Sequence, residues 1–397
     1  MNDIAATDAA APPAGARYTL WQLVGYMLGL GTWGFGGPVA LVGYMYRDLV
    51  EKRAWISESD YKEGMALAQL MPGPLAAQLA IYLGYVHYRV VGATLVGIAF
   101  VLPSFFMVVA LGAVYTSYGG IGWMQSVFYG VGAAVIGIIA MSAWRLTSKN
   151  IGNDKLLRIV FVVSAVLTVV TKTENVLVFL GSGALVWLLR APPKIGRGTI
   201  IRSFDGALMA FFAVDGLDWH KLGQIARYFA YAGSFVFGSG LAIVPFLYGG
   251  VVKEYAWLTD RQFVDAVAVA MITPGPVVIT TGFIGFLVQG FWGAVVAALG
   301  TFVPCYLFTI LPAPYFKKHG KRPAIVAFVD GVTAAAVGAI AGAVVVIGQR
   351  SIVDAVTAAL ALVTAGVLWK FKKLPEPVIV ATAAVIGLVV HPLMTHN

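Results

Sequence analysis

Charge is scarce in this sequence. Only 11% of its 397 residues are charged, where a soluble domain carries roughly a quarter. With 59% hydrophobic residues and a mean hydropathy of +0.84, a soluble globule is excluded and a polytopic membrane protein is expected. Cysteine is nearly absent. Cys305 stands alone, which rules out an intrachain disulfide and a cysteine-based metal cluster. His87 has no second histidine at ligand spacing, so neither a metal nor a cofactor is expected. The alternation of a β-barrel is missing. So are a GxxxxGK[ST] loop, a soluble segment large enough for an ATPase, and any nucleophile–base constellation. The chain is therefore not read as an enzyme or an ATP-driven pump. Its net charge of +9 sits in short basic loops, as cytoplasmic loops of membrane proteins do, so nucleic acid is not an expected partner.

What the chain has instead is apolar segments of about 20 residues, the length that crosses a bilayer as a helix. Two of them are broken by the same triplet, Pro72-Gly73-Pro74 and Pro274-Gly275-Pro276. Proline removes a backbone donor and clashes with the preceding turn, and glycine frees the backbone. Broken backbone at membrane depth is tolerated only inside protein or beside a water-filled cavity. Two broken helices at matching places in two halves point to a binding site.

The halves match well beyond the triplets. Phe35-Gly36 recurs as Phe237-Gly238, and Trp55-Ile56-Ser57 as Trp257-Leu258-Thr259, both at the 202-residue spacing of the triplets; Gly92-Ala93 recurs as Gly293-Ala294 and Pro103 as Pro304, one residue shorter. Rare residues agreeing in one register signal an internal repeat. Ser57 with Asp60, and Thr259 with Gln262, predict helix starts of capping-box type. The predicted organisation is a disordered Ala/Pro-rich tail (1–17), a first membrane repeat (18–190), a cytoplasmic linker (191–218) with a surface helix at 204–213, and a second membrane repeat (219–397). In each half a broken helix, read as a re-entrant hairpin, precedes four apolar spans. These run at about 92–116, 121–144, 156–171 and 175–190, then at 293–312, 324–348, 352–369 and 376–392. Residues 29–34 match GxGxxG, but no strand precedes them, and Gly25 with Gly29 reads as a helix-packing face.

Loop charge predicts orientation. The loops 145–158 and 190–202 are basic while 117–121 is uncharged; in the second half 317–322, the counterpart of 117–121, is basic, as is 370–373. Equivalent loops thus lie on opposite sides, and the two repeats are expected to be inverted, as in many secondary transporters. One entering segment, one re-entrant unit and four spans per half would put the N-terminus outside. Arg47, His87, Arg89 and Lys253 are expected at the interface as topology anchors.

Each half-helix after a triplet starts with unpaired N–H groups and the positive end of a helix dipole, an anion site. The amides of Leu75, Ala76 and Ala77, and of Val277, Val278 and Ile279, are the expected donors. Gln69, Gln78, Thr273, Thr280 and Thr281 are nearby side-chain donors, each of which could equally bond helix to helix. The expected substrate is a tetrahedral oxyanion. Glu63 and Asp265 stand at equivalent positions about two turns before each break. As paired intramembrane carboxylates they are candidates for coupling or gating, the alternative being interfacial groups paired with Lys62 or Arg261.

Trp33-Gly34-Phe35-Gly36-Gly37-Pro38, Gln69-Leu70-Met71-Pro72-Gly73-Pro74 with Gln78, Phe237-Gly238-Ser239-Gly240 and Thr273-Pro274-Gly275-Pro276 resemble the chromate ion transporter (CHR) family in its long two-repeat form, over essentially all of 18–392. The resemblance implies a multi-pass bacterial inner-membrane protein that exports chromate and confers resistance to it, with relatedness to sulfate handling. It implies an all-α fold, a small inorganic oxyanion and the lipid bilayer as partners, and leaves a homodimer open. Gly240 replaces Pro38 and Thr280 replaces Gln78 in the second copy, so the two halves of the site are not chemically equal. A passive anion channel, a carrier of another oxyanion and a non-transporting scaffold are the other readings.

Overall fold

The computed structural model describes residues 18–35, 37–118, 122–171, 176–192, 218–238, 243–319, 322–371, 374 and 376–395. The expected tail, Gly36 and the surface helix at 204–213 lie outside them. The first repeat holds α1 (Leu20–Trp33), α2 (Gly37–Met45), α3 (Glu58–Leu70), α4 (Leu75–Tyr118), α5 (Gly122–Asn150), α6 (Lys155–Thr171) and α7 (Val176–Arg190). The second holds α8 (Trp219–Gly233), α9 (Ile243–Leu247), α10 (Asp260–Ile272), α11 (Thr280–Ile310), α12 (Ala313–His319), α13 (Pro323–Ser351), α14 (Ala355–Lys370) and α15 (Glu376–Thr395). Four stretches, Leu75–Tyr118, Gln125–Ser148, Val277–Phe316 and Pro323–Gln349, are long and apolar enough to cross a membrane. The fold is all-α and polytopic, as expected.

The repeat extends to backbone detail that the sequence does not announce. Single turns of π-helix follow α2 and α9, at Tyr46–Lys52 and Tyr248–Glu254. Left-handed backbone recurs at Ala54 and Ala256, and at Arg89 and Gly290. The helix starts differ slightly: Thr259 and Gln262 form a complete capping box. Ser57 instead accepts from the Asp60 amide and donates its hydroxyl to the Asp60 carboxylate.

A straight α4 of 44 residues would be about 66 Å long, more than twice the hydrocarbon thickness. It is instead a hairpin. At Arg89 (φ 53°, ψ −141°) the chain doubles back, and Gly84 packs so closely on Gly92 that a Cβ on either would overlap the other's carbonyl. α11 reverses in the same way at Gln289 and Gly290, with Gly285 against Gly293. The arm of α4 before the turn also folds back on α3. Tyr82 donates to Glu63 at 2.7 Å, and a Cβ on Gly64 would lie 3.1 Å from Leu79. Thus α3 and the first arm of α4 form a helical hairpin with Pro72-Gly73-Pro74 at its tip.

The first apolar block does the same, which differs from the expected single entering segment. Tyr18 stacks on Trp55 at 5.2 Å, and Tyr26 donates to Asp48 at 3.4 Å, so α1 and the α2–π segment run antiparallel. In the second repeat Tyr228, at the place of Tyr26, donates to the Phe246 carbonyl at 2.5 Å and lies against Trp257. Each repeat therefore has two hairpins before its spans. The extra reversal changes the parity, so Tyr18 lies beside His87, to whose Nδ1 its hydroxyl is bonded at 2.8 Å.

The second arms of α4 and α11 are equivalent and pack antiparallel. Thr94 meets Tyr306 at 2.6 Å and Phe105 meets Phe291 at 6.3 Å; one number rises as the other falls. A pseudo-two-fold axis relating them must run across these helices. If they span the membrane, that axis lies in its plane, as the loop charges require. The later helices are exchanged between repeats: α5 packs on α14 and α15, and α13 on α6 and α7. Small residues allow the close approach, as in membrane bundles generally. Gly130 meets Gly387, Gly338 meets Ser164, and Ser164 donates to the Ala335 carbonyl at 2.7 Å. Basic segments gather at one end. Arg190 pairs with both Asp154 and Asp330, and Arg145 donates to the Leu368 carbonyl at 2.9 Å.

Candidate functional site

In each Pro-Gly-Pro triplet the glycine holds the one backbone N–H, because proline has none. Both glycines spend it on the other repeat. Gly73 donates to the Val236 carbonyl at 2.5 Å, and Gly275 donates to the Gly34 carbonyl at 3.0 Å. Val236 is the counterpart of Gly34 at the same 202-residue spacing, so the two bonds are images of each other. The first continues into a short parallel ladder, β1 (Gly73–Pro74) with β2 (Phe237–Gly238), pairing Gly73 with Phe237 and Pro74 with Gly238. The tip of each broken helix is therefore docked on the Gly-rich tip of the other repeat's first hairpin. The Gly275 tip lies beside Ser104 of α4 and the Gly31 carbonyl of α1. This docking accounts for the recurrence of Phe35 as Phe237 alongside the triplets, while Gly37 and Pro38 open α2 and Gly36 lies outside the described residues.

The glycines also need their conformations. Gly73 has φ +145° and Gly275 φ +95°, where side chains are rarely tolerated. A Cβ on Gly275 would overlap the Ser104 hydroxyl. The residues before the triplets, Met71 and Thr273, are extended, as residues preceding proline usually are.

Beyond the breaks, Leu75, Ala76 and Ala77 are buried and open α4, so their amides lie in a first turn, which has no intrahelical acceptor. The second repeat differs. Val277–Ile279 form a 3₁₀ turn, and Ile279 donates to the Pro276 carbonyl at 3.0 Å. This removes Ile279 from the expected donors and leaves Val277 and Val278. Gly73–Pro74 packs against α11, and Val277–Ile279 against α4; around the second break the α4 contacts are Ser104, Phe105 and Val108, on its second arm.

The side-chain donors behave differently from the expectation. Thr273, Thr280 and Thr281 donate their hydroxyls to the carbonyls of Val269, Val277 and Val278 at 2.7, 2.7 and 3.1 Å. Buried hydroxyls must find acceptors, and the helix behind them is the nearest. Gln69 is exposed and Gln78 is fully buried. The Gln78 amide nitrogen donates to the Pro72 carbonyl at 2.8 Å, bracing the break. Its Oε1 has no partner among the described residues, which suits a water or a hydroxyl donor.

The paired carboxylates have phenol partners. Tyr82, on the same hairpin, serves half-buried Glu63. Asp265 is 3% exposed and accepts from Tyr115 at 2.8 Å, although Tyr115 belongs to the other repeat. The place of Tyr82 is taken there by Phe283, which lies against the Tyr115 ring at 5.7 Å. Lys62 pairs with Glu58 at 2.7 Å rather than with Glu63. Of the expected anchors, Arg47 pairs with Asp48 at 3.0 Å and Lys253 with Asp260 at 3.6 Å, while Arg89 sits over Tyr85 at 5.6 Å. Tyr82, Tyr115 and Ser104 were not legible as site residues, because only tertiary pairing gives them a role. No group of acidic, histidine or cysteine side chains suited to a metal occurs among the described residues.

The profile of a family described as "Chromate transporter" matches residues 21–187 and 223–388, two copies starting at the spacing of the internal repeat. The chain is 68% identical over 381 residues to the "Chromate transport protein" of Cupriavidus metallidurans, covering 96% of this chain and 95% of that one. It is 62% identical to the "Probable chromate transport protein" of Synechococcus elongatus over 376 residues, 94% of this chain and 96% of that one. The "Chromate transport protein" of Pseudomonas aeruginosa is 29% identical over 406 residues, 98% and 95% of the two chains. No solved structure matches.

Proposed function

Since the chain belongs to the chromate transporter family, we propose that it is a secondary active transporter that carries chromate outward across the bacterial inner membrane. In this reading the anion sits at the hairpin tips. It is held by the first-turn amides of Leu75, Ala76 and Ala77 and by those of Val277 and Val278, with the fields of two helix starts behind them. Sulfate, a dianion of similar shape, is a second substrate. Gln78 braces the first break, and Glu63 and Asp265 serve coupling or gating. The hairpins are re-entrant, and the end carrying Arg145, Arg190 and Tyr18 faces the cytoplasm, in keeping with the positive-inside rule.

One observation carries the reading: the reciprocal bonds from Gly73 to Val236 and from Gly275 to Gly34. They tie each interrupted helix to the other repeat, and the interface between repeats is where repeat transporters place their substrate. Everted membrane vesicles supplied with labelled chromate test it. Accumulation that rises with an imposed ion gradient or a trapped counter-anion is expected. Equilibration indifferent to both would indicate a channel, and no flux at all would remove transport.

A further inference from the structure

The two coupling candidates do not share one environment. A cavity of about 490 Å³ opens between α5, α10, α13, α14 and α15, and Asp265 lines it. A second cavity, of about 390 Å³, lies near the start of α3 and is lined by Asp60 and His87 but not by Glu63. The larger cavity lies at the end of the molecule opposite the basic segments. It is bounded by the start of α5 and the end of α15, where Ser126 meets His391 at 3.0 Å. The head of α14 adds Asp354, which accepts from Tyr129 at 2.5 Å.

The charges facing Asp265 come from every side. Tyr115 of α4 is bonded to it, and Arg261 lies on its own helix. Tyr129 of α5, His391 of α15, Asp354 at the head of α14, and Asp260 with Tyr248 share the cavity wall. Asp260 is paired with Lys253. That leaves two carboxylates against one guanidinium, a balance of the wrong sign for a dianion and the right one for a proton.

We infer that Asp265 is the acceptor of a coupling proton, reached by water through this cavity from the side opposite the basic loops, and that Glu63 is not. The inference rests on the reading of the chain as a coupled transporter. A proton from cavity water adds to the Asp265 carboxylate and is released from it to water when the cycle reverses. Tyr115 keeps its bond to Oδ2 as the carboxylate gains and loses charge. The oxyanion uses the separate centre at the hairpin tips.

The test uses purified full-length protein in proteoliposomes with a trapped pH dye, measuring proton and chromate fluxes on the same vesicles. In Asp265→Asn the protons moved per chromate should fall by about fivefold or more, the low end of ordinary coupling between two ligands. Glu63→Gln should leave that ratio nearer wild type. A wild-type ratio in Asp265→Asn, or equal loss of both fluxes, overturns the inference. So does chromate transport by the wild-type protein that moves no protons. Wild-type vesicles that move no chromate would remove the transport reading itself. Sidedness is read independently with Val264→Cys, since the single native thiol, Cys305, is buried. An impermeant maleimide should label Val264→Cys in spheroplasts, and labelling confined to everted vesicles overturns the route.

Discussion

Replacing Gly275 with valine should abolish at least nine-tenths of chromate flux while leaving the protein in the membrane. Two costs add at this position. A side chain at φ +95° stores about 1–3 kcal/mol of backbone strain. A Cβ there overlaps the Ser104 hydroxyl and lies 3.3 Å from the Gly31 carbonyl, and overpacking of this kind costs about 1–3 kcal/mol more. The sum, about 2–6 kcal/mol, falls on a tip fixed by one bond to Gly34, and every 1.4 kcal/mol is about tenfold in an equilibrium. The chain can relieve it by moving the tip off Gly34, which dismantles the centre but leaves the spanning helices packed. Transport into everted vesicles, normalised to immunodetected protein, measures the loss. Ser104→Ala in the Gly275→Ala background separates the two costs, since it removes the hydroxyl and leaves the backbone strained. Wild-type flux in Gly275→Val would refute the argument that the tip must reach Gly34.

Pro74→Ala restores a backbone donor beside β1 and loosens the break; flux should drop at least tenfold with normal abundance, measured in the same vesicles. Glu63→Gln keeps a hydrogen-bond acceptor for Tyr82, so the protein should reach the membrane in normal amount and the pH profile of flux should stay near wild type, measured in the same vesicles. Gly84→Leu prevents the contact with Gly92 that closes the α4 hairpin. It should cost several kcal/mol, on the order of a severe overpacking, and reduce the amount of protein in the membrane rather than its activity per molecule. Tyr115→Phe leaves Asp265 buried without its donor, a loss of about 1.5–3 kcal/mol for a bond to a charged group, seen as a lower melting temperature in detergent.

The breaks were legible because proline and glycine act locally. The structure ends α3 at Leu70 and restarts the chain at Leu75, where Pro72-Gly73-Pro74 demands it. The reversal at Arg89 was not legible. An arginine at φ 53° has no local signature, and the apolar run continues through it. Its counterpart Gly290 could have hinted at a turn, but only the contact of Gly84 with Gly92 fixes one. The first hairpin was half visible. Gly34 to Pro38 marked an interruption, yet whether the chain passes on or turns back depends on Tyr18 finding Trp55. The threonines misled for a physical reason: spacing places them near the break, but a buried hydroxyl beside a helix bonds the carbonyl behind it. The Asp265–Tyr115 pair joins residues 150 apart in different repeats, and a sequence read segment by segment cannot connect them.

The cross-repeat bonds also constrain how such a molecule alternates. Rocking one repeat against the other would break the Gly73 and Gly275 bonds, separate the antiparallel arms of α4 and α11, and pull α5 away from α14 and α15. These are the close-packed, small-residue contacts of the fold, and a motion that opens all of them together is the costliest available. The seam that carries fewer ties runs between the hairpins with α4 and α11 on one side and the exchanged layer of α5 to α7 and α13 to α15 on the other. Along that seam lies the cavity that reaches Asp265. A carboxylate placed there changes the charge of the sliding surface when it titrates, whereas the centre at the hairpin tips stays within one body. In the proposed reading, substrate site and titrating group thus belong to one body, the second at its moving boundary, an arrangement that couples them without requiring them to touch.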